Sequence, residues 1–332
     1  MTLIIDAMGG DNAPLEIVKA CCDAVKEYNI NIKLVGKEDI LKDCFQKNDL
    51  SLNNIEIINA TDTISMEENP KYILKHKADS SMIKGLKLLA ENQGDAFVSA
   101  GSSGALVVGS TFIVKRINGI KRAAFAPVLP KNNGAFMLLD SGANINCQPV
   151  MLNQFGIMGS IYMKKIMNID NPRVALANIG VEENKGTQLQ IDAFNMLKNS
   201  DINFIGNVEP REIPNDAADV VVADGFTGNI IVKTYEGVAL TLMKKIKSMF
   251  KSNILTKIGA LLVLPSMKKL KKSFDYNEYG GAPILGLRAP VFKAHGSSDA
   301  KTFKSAIRLT IDYVNNNVVN EIQQSIEAMK TT

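Results

Sequence analysis

Short apolar runs rich in Val, Ile and Leu alternate along the chain with longer stretches whose apolar positions recur at helical spacing. Residues 3–7, 32–35, 55–58, 96–99, 174–179, 202–205 and 220–223 are such runs and predict short strands buried on both faces. Between them lie segments of helix length. The clearest are 102–116, 149–167, 186–198 and 228–250, each following a loop that offers Asp, Asn, Ser, Thr or Gly as a cap. Strand then helix, repeated, predicts an α/β fold with three α/β/α layers and a mostly parallel sheet. One interruption, 122–130 and 134–140 joined by Lys131-Asn132-Asn133, reads as an antiparallel hairpin and makes the sheet mixed. With no internal repeat and no low-complexity tract, residues 1–332 are expected to form a single α/β/α unit.

Composition narrows the class. The 332 residues are 46% apolar and 22% charged, which excludes disordered and collagen-like chains. A net charge of +4, from 38 Lys+Arg and 34 Asp+Glu, is too small to argue for nucleic acid as a partner. No run approaches the ~20 apolar residues of a membrane span. Cys21, Cys22, Cys44 and Cys147 show no C-x-x-C spacing, so a reducing, cytoplasmic setting is expected. The start, Met1-Thr2-Leu3-Ile4-Ile5-Asp6, has no basic segment before its apolar run and reads as a strand, not a signal peptide.

In parallel α/β sheets ligands collect beyond the C-terminal strand ends, so those loops hold the candidate chemistry. After the first strand, Gly9 and Gly10 allow a tight turn flanked by Asp6 and Asp11. After the run at 96–99, Ala100-Gly101-Ser102-Ser103-Gly104-Ala105 offers hydroxyls and backbone N–H groups at a helix start, an anion site unless Ser102 or Ser103 serves only as a cap. In Gly180-Val181-Glu182-Glu183-Asn184-Lys185-Gly186-Thr187, Lys185 lies near a helix N-terminus, where a cation opposes the dipole. Its placement points to an anion, although Glu182 and Glu183 could neutralise it. Asp224-Gly225-Phe226-Thr227-Gly228-Asn229 enters another helix, with Asn229 as an oxyanion donor or a capping residue. His295 and His76 are the two histidines and neither has a zinc-type setting, so no metal is expected.

Taken in order, Asp6-Ala7-Met8-Gly9-Gly10-Asp11, Asp79-Ser80-Ser81-Met82, Ser99 to Ala105, Glu183-Asn184-Lys185-Gly186, Asp224 to Asn229 and Ala294-His295-Gly296-Ser297-Ser298 resemble the bacterial phosphate acyltransferases of the PlsX type. The resemblance spans nearly the whole chain. It departs at Ser103, where Thr is common, and at His76, in a stretch usually richer in Lys and Arg. It implies a fold like that of isocitrate and isopropylmalate dehydrogenases, a homodimer, and no cofactor. The implied reaction makes acyl phosphate from acyl-acyl carrier protein and inorganic phosphate, for a downstream acyltransferase of glycerophospholipid synthesis. Within it Lys185 and Asn229 are the catalytic positions. Asp6, Gly9, Gly10, Asp11, Ser102, Ser103, Gly104, Asn184, Thr227, Gly228 and His295 are expected to bind or shape the substrate site. Phosphate is already largely dianionic at neutral pH, so it needs holding more than it needs a general base. A coenzyme A-dependent phosphotransacetylase, a decarboxylating dehydrogenase and a non-enzymatic membrane scaffold are the rival readings.

Charge is distributed unevenly. Nine lysines and no acid lie between Lys244 and Lys272, so the rest of the chain sums to −5. Inside this segment, Ile258 to Met267 carries no charge and Pro265 is expected to break it into two short helices. The segment 244–280 is expected to project from the catalytic unit. Its tip, Leu261, Leu262, Val263 and Leu264, would touch an anionic membrane surface from the side, unless the apolar stretch is a dimer core rimmed by the lysines or the basic surface docks the acidic carrier protein; the resemblance implies that the first two coexist.

Overall fold

The computed structural model describes residues 1–70, 72–273 and 280–329. In chain order the first elements are β1 (Thr2–Asp6), α1 (Leu15–Tyr28), β2 (Asn31–Gly36), α2 (Glu38–Lys47), β3 (Ile55–Asn59), α3 (Ile73–His76), α4 (Ser81–Ala90), β4 (Ala96–Ser99) and α5 (Ser103–Ile113). Next come β5 (Ala124–Phe125), β6 (Val128–Pro130), β7 (Ala135–Leu139), α6 (Pro149–Lys165), β8 (Val174–Ala177), α7 (Gln188–Lys198), β9 (Phe204–Val208) and β10 (Val220–Val222). After these lie α8 (Gly225–Phe250), α9 (Ile254–Ser273), β11 (Ala282–Leu285), β12 (Val291–Lys293), α10 (Ala300–Asn315) and α11 (Val318–Ala328).

The strands form two sheets where one was expected. Seven run in the order β3-β2-β1-β4-β12-β11-β5 and five in the order β6-β7-β10-β8-β9. Both are parallel except at one edge, where β11 opposes its two neighbours and β6 opposes β7. The expected hairpin exists as β6 and β7, but its first limb is shared between the sheets. Phe125 pairs with Ile284 of β11 and Val128 pairs with Met137 of β7. Between them Pro127 has no N–H to give a ladder, so the chain leaves the first sheet there and enters the second. The central strands β1, β4, β8 and β10 are buried almost throughout, because helices cover both faces. One face of both sheets shares a core in which Val18, Phe155, Tyr162, Phe292, Phe303 and Ile322 meet. The opposite face of the larger sheet packs α4 and α5 through Leu86, Phe97 and Leu106, and that of the smaller packs the start of α8 through Val221, Ile231 and Val232.

The helix α8 belongs to the body only at its start. Gly225 and Gly228 are its buried residues, and the Tyr235 hydroxyl still reaches the carbonyl of Pro130 at 2.7 Å. Farther on, Val238, Leu240 and Leu242 are exposed, and α9 packs back against α8. The expected break at Pro265 is not found: α9 runs through it. A proline removes a single ladder bond, whereas residues 251–253 carry a complete stop and start. There the N–H of Thr256 donates to Asn253 Oδ1 at 2.9 Å and the N–H of Asn253 donates to Thr256 Oγ1 at 3.1 Å. This reciprocal cap fixes the joint between the two helices. The remainder of the segment expected to project, 274–279, lies outside the described residues.

Candidate active site

The strand ends of the larger sheet meet at one place. The Ser99 hydroxyl donates to Asp6 Oδ2 at 2.6 Å and accepts the Gly101 N–H at 3.0 Å. The Asp6 carboxylate also accepts the Met8 N–H, and burial raises its pKa above the ordinary carboxylate range. A Cβ on Gly9 would lie 2.6 Å from both Asp6 Oδ2 and the Gly101 nitrogen, so glycine lets the first loop close on the β4–α5 loop. The N–H of Asp11 then donates to the Gly296 carbonyl at 2.8 Å, joining a third loop. Lys293, at the end of β12 and opposite Ser99, lies inside this junction. Its ammonium donates to the carbonyls of Ala100 at 3.0 Å and Ala294 at 2.5 Å. Burial lowers its pKa to about 8.

The smaller sheet supplies the facing loops. Asp140, buried at the end of β7, accepts the N–H groups of Phe125, Ala143 and Asn144 and the Asn144 amide. Burial nevertheless pushes its pKa up to about 6. The carboxylate of Asp224 accepts the N–H groups of Phe226 and Thr227 and the Thr227 hydroxyl. That makes Asp224 the cap of α8, which therefore begins at Gly225, ahead of the expected start at 228. Asn229 is accordingly relieved of capping, and its side chain lies half-buried beside Gly142. A Cβ on Gly228 would fall on the carbonyl oxygen of Asp140, so α8 approaches β7 only because this residue is glycine.

Where the two sheets meet, a cavity of about 290 Å³ opens. Ser103, Ser141, Asn229, Lys293 and His295 give it a polar end, and Phe125, Pro127, Val128, Leu129 and Val232 give it an apolar wall. Glu236 and exposed Lys233 also line it. Burial raises the pKa of Glu236. Three of the residues singled out in the sequence thus come together: Ser103, Asn229 and His295. The His295 ring nitrogen Nδ1 lies 2.8 Å from Ser297 Oγ, within its own loop.

The others do not line the cavity. Asp6, Gly9, Gly10 and Asp11 sit behind the wall made by the β4–α5 loop. Ser102 caps α5, accepting the Ala105 N–H at 3.4 Å, and Gly104 lies against Pro70. Thr227 is tied to Asp224, while Gly228 sets the height of α8. Lys185 and Asn184 occupy an exposed loop after β8. The Asn178 amide holds this loop by donating to the Lys185 carbonyl at 3.0 Å, and Lys185 Nζ lies 3.9 Å from Glu182 Oε1. Its stem passes over Gly180, where a Cβ would meet it at 3.1 Å. Sequence reasoning missed Lys293, Ser99, Asp140 and Ser141. The signal for Lys293 was a charged residue closing the apolar pair Val291-Phe292 just ahead of the histidine loop.

The two-sheet α/β body has counterparts among solved enzyme structures. A phosphotransacetylase from Streptococcus pyogenes superposes with a TM-score of 0.67 at 16% identity, over 95% of this chain and 94% of its own. A putative 4-hydroxythreonine-4-phosphate dehydrogenase from Salmonella typhimurium gives 0.51 at 13% identity, over 94% and 98%. At these identities the likeness is one of fold. In sequence, a phosphate acyltransferase from Clostridium tetani is 46% identical over 332 residues, all of this chain and 99% of its own. One from Alkaliphilus oremlandii is 47% identical over 329 residues, 99% of this chain and 98% of its own. The pattern of a family described as fatty acid synthesis protein matches residues 1–321. The chain belongs to this family, as its loop motifs implied, and is an acyltransferase.

Proposed function

We propose that the chain catalyses attack of inorganic phosphate on the thioester of an acyl-acyl carrier protein, releasing acyl phosphate and free carrier protein as an early step of glycerophospholipid synthesis. The observation that carries this reading is a single cavity that joins Ser103, Asn229, Lys293 and His295 to an apolar wall. Phosphate needs the first set and an acyl chain the second. A phosphate oxygen forms the new bond to the carbonyl carbon, the C–S bond breaks, and its electron pair leaves on sulfur, which takes a proton from water. The Asn229 amide donates to the carbonyl oxygen as negative charge gathers there. Lys185, on a long flexible stem, draws phosphate in from the solvent side and offsets transition-state charge.

The helical pair extends the proposal to place and partners. Leu261, Leu262, Val263 and Leu264 are exposed on α9, which is flanked by lysines. No helix among the described residues is long and apolar enough to cross a membrane. Exposed apolar residues between cations support contact with the anionic inner face of the membrane from the side, each nearby Lys contributing on the order of 1 kcal/mol. Acyl phosphate would then be released beside the acyltransferase that consumes it. The working form is a homodimer, consistent with the exposed Ile179 and Val181.

Release of carrier-protein thiol from palmitoyl-acyl carrier protein, followed with and without phosphate and with hydroxylamine to trap product, tests the reading. Phosphate-dependent thiol and a hydroxamate are expected. Turnover with acyl-coenzyme A alone would assign a phosphotransacetylase instead, and silence with both donors would remove the proposed reaction.

A further inference from the structure

Lys293 is the buried cation of the cavity. Only 7% of it is exposed, yet it lines the cavity, whereas Lys233 is exposed at the rim and Lys185 lies outside the lining. Its two hydrogen-bond acceptors among the described residues, the Ala100 and Ala294 carbonyls, belong to the loops that carry Ser103 and His295. An ammonium has three hydrogens. Asp6 and Asp11 act on it through space, and no carboxylate among the described residues is hydrogen-bonded to Lys293. Burying a unit charge without a contacting counter-ion is costly, and an apolar side chain of similar length would fill the space without that cost. An anion entering the cavity would supply the missing contact.

We infer that Lys293 is a phosphate-binding residue, directing its third hydrogen into the cavity toward an anion beside Ser103. The inference rests on the proposed reaction for the identity of that anion. The groups that face Lys293 are Asp6 from β1, Asp11 from the β1–α1 loop and His295 from its own loop. The two carboxylates favour its charge, but burial outweighs them and brings the pKa to about 8. The cation is therefore present at neutral pH and lost above that value. A bound phosphate dianion would restore it, so the alkaline loss belongs to the free protein and to kcat/KM for phosphate rather than to kcat.

Calorimetric titration of inorganic phosphate into the full chain tests this without any acyl donor, so its outcome is separable from that of the thiol-release assay. Wild-type protein is expected to bind phosphate at neutral pH and to lose about tenfold per pH unit above the break, over a range in which phosphate stays dianionic. Lys293→Met is expected to bind about 10- to 100-fold more weakly and without that pH dependence. Lys293→Arg, charged throughout, is expected to bind and to keep binding in alkali. A folded Lys293→Met protein with wild-type phosphate affinity would overturn the inference. So would a wild-type protein that binds no phosphate, or whose affinity is flat across the alkaline range. Should Lys293→Met fail to fold, the wild-type and Lys293→Arg pH profiles decide.

Discussion

Two lysines serve this molecule under opposite conditions. Lys185 stands on a solvent-exposed loop after β8 with an acidic neighbour 3.9 Å away, and Lys293 is buried at the end of β12 with backbone carbonyls as its partners. Salt screens the first and hardly touches the second. An exposed cation on a flexible stem can gather an anion and follow a changing charge distribution, whereas a buried one can hold an anion in one place. The comparison therefore separates charge that acts during the reaction from charge that acts on binding. Lys185→Ala and Asn229→Ala should break it most visibly, each lowering kcat about 10²- to 10³-fold, as loss of one transition-state donor does elsewhere. Phosphate affinity should change much less. A Lys185→Ala protein that kept kcat and lost only phosphate affinity would exchange the roles of the two lysines.

Stability offers a second separation, opposite in sign to phosphate binding. An unfolded lysine titrates near ~10.4 and the folded Lys293 at about 8, so between these values the unfolded chain binds the extra proton. The Lys293 contribution to unfolding free energy must then rise with pH across that window while phosphate binding falls. In chemical denaturation, the unfolding free energy of wild type minus that of Lys293→Met should rise with pH over this range, the buried cysteines and tyrosines titrating alike in both proteins.

The difference between the lysines also explains which one was legible. Lys185 lies in a glycine-bounded loop beside two glutamates, where a cation at a helix start is conspicuous in sequence. Lys293 closes a three-residue strand, too short for periodicity to mark, which lies between β4 and β11 in the sheet. The parallel strands β1, β4 and β10 were legible because short apolar runs require burial on both faces. The division into two sheets was not, since it falls within what reads as one hairpin limb, and pairing with β11 claims Phe125 from a distant part of the chain. Asn229 was found, but its release from capping depended on how far back α8 begins, a boundary decided by the Asp224 side chain.

Geometry on the Asn229 side can be perturbed without touching charge. Gly228→Ala would press a methyl group onto the Asp140 carbonyl and force α8 away from β7. Overpacking of this kind costs about 1–3 kcal/mol, readable as a lower urea midpoint with an unchanged slope. Activity should fall further than stability alone predicts, because Asn229 is the next residue of the helix. Full activity in a destabilised Gly228→Ala protein would mean that the position of Asn229 is not critical.

The smallest effect on chemistry should come from the exposed helical pair. Leu261 and Leu262, 70% and 80% exposed on α9, have little contact to lose within the chain. Leu261→Asp together with Leu262→Asp should therefore leave unfolding and turnover of a soluble acyl donor within about 0.5 kcal/mol of wild type. Flotation with anionic vesicles should be lost, since the exchange removes apolar insertion and adds negative charge to a basic surface. If flotation is kept while added salt abolishes it, the lysines alone carry the contact and the leucines face another protein. If the double variant loses turnover in solution, α9 forms part of the acyl path, and the apolar wall at Phe125 and Val232 continues along the helical pair.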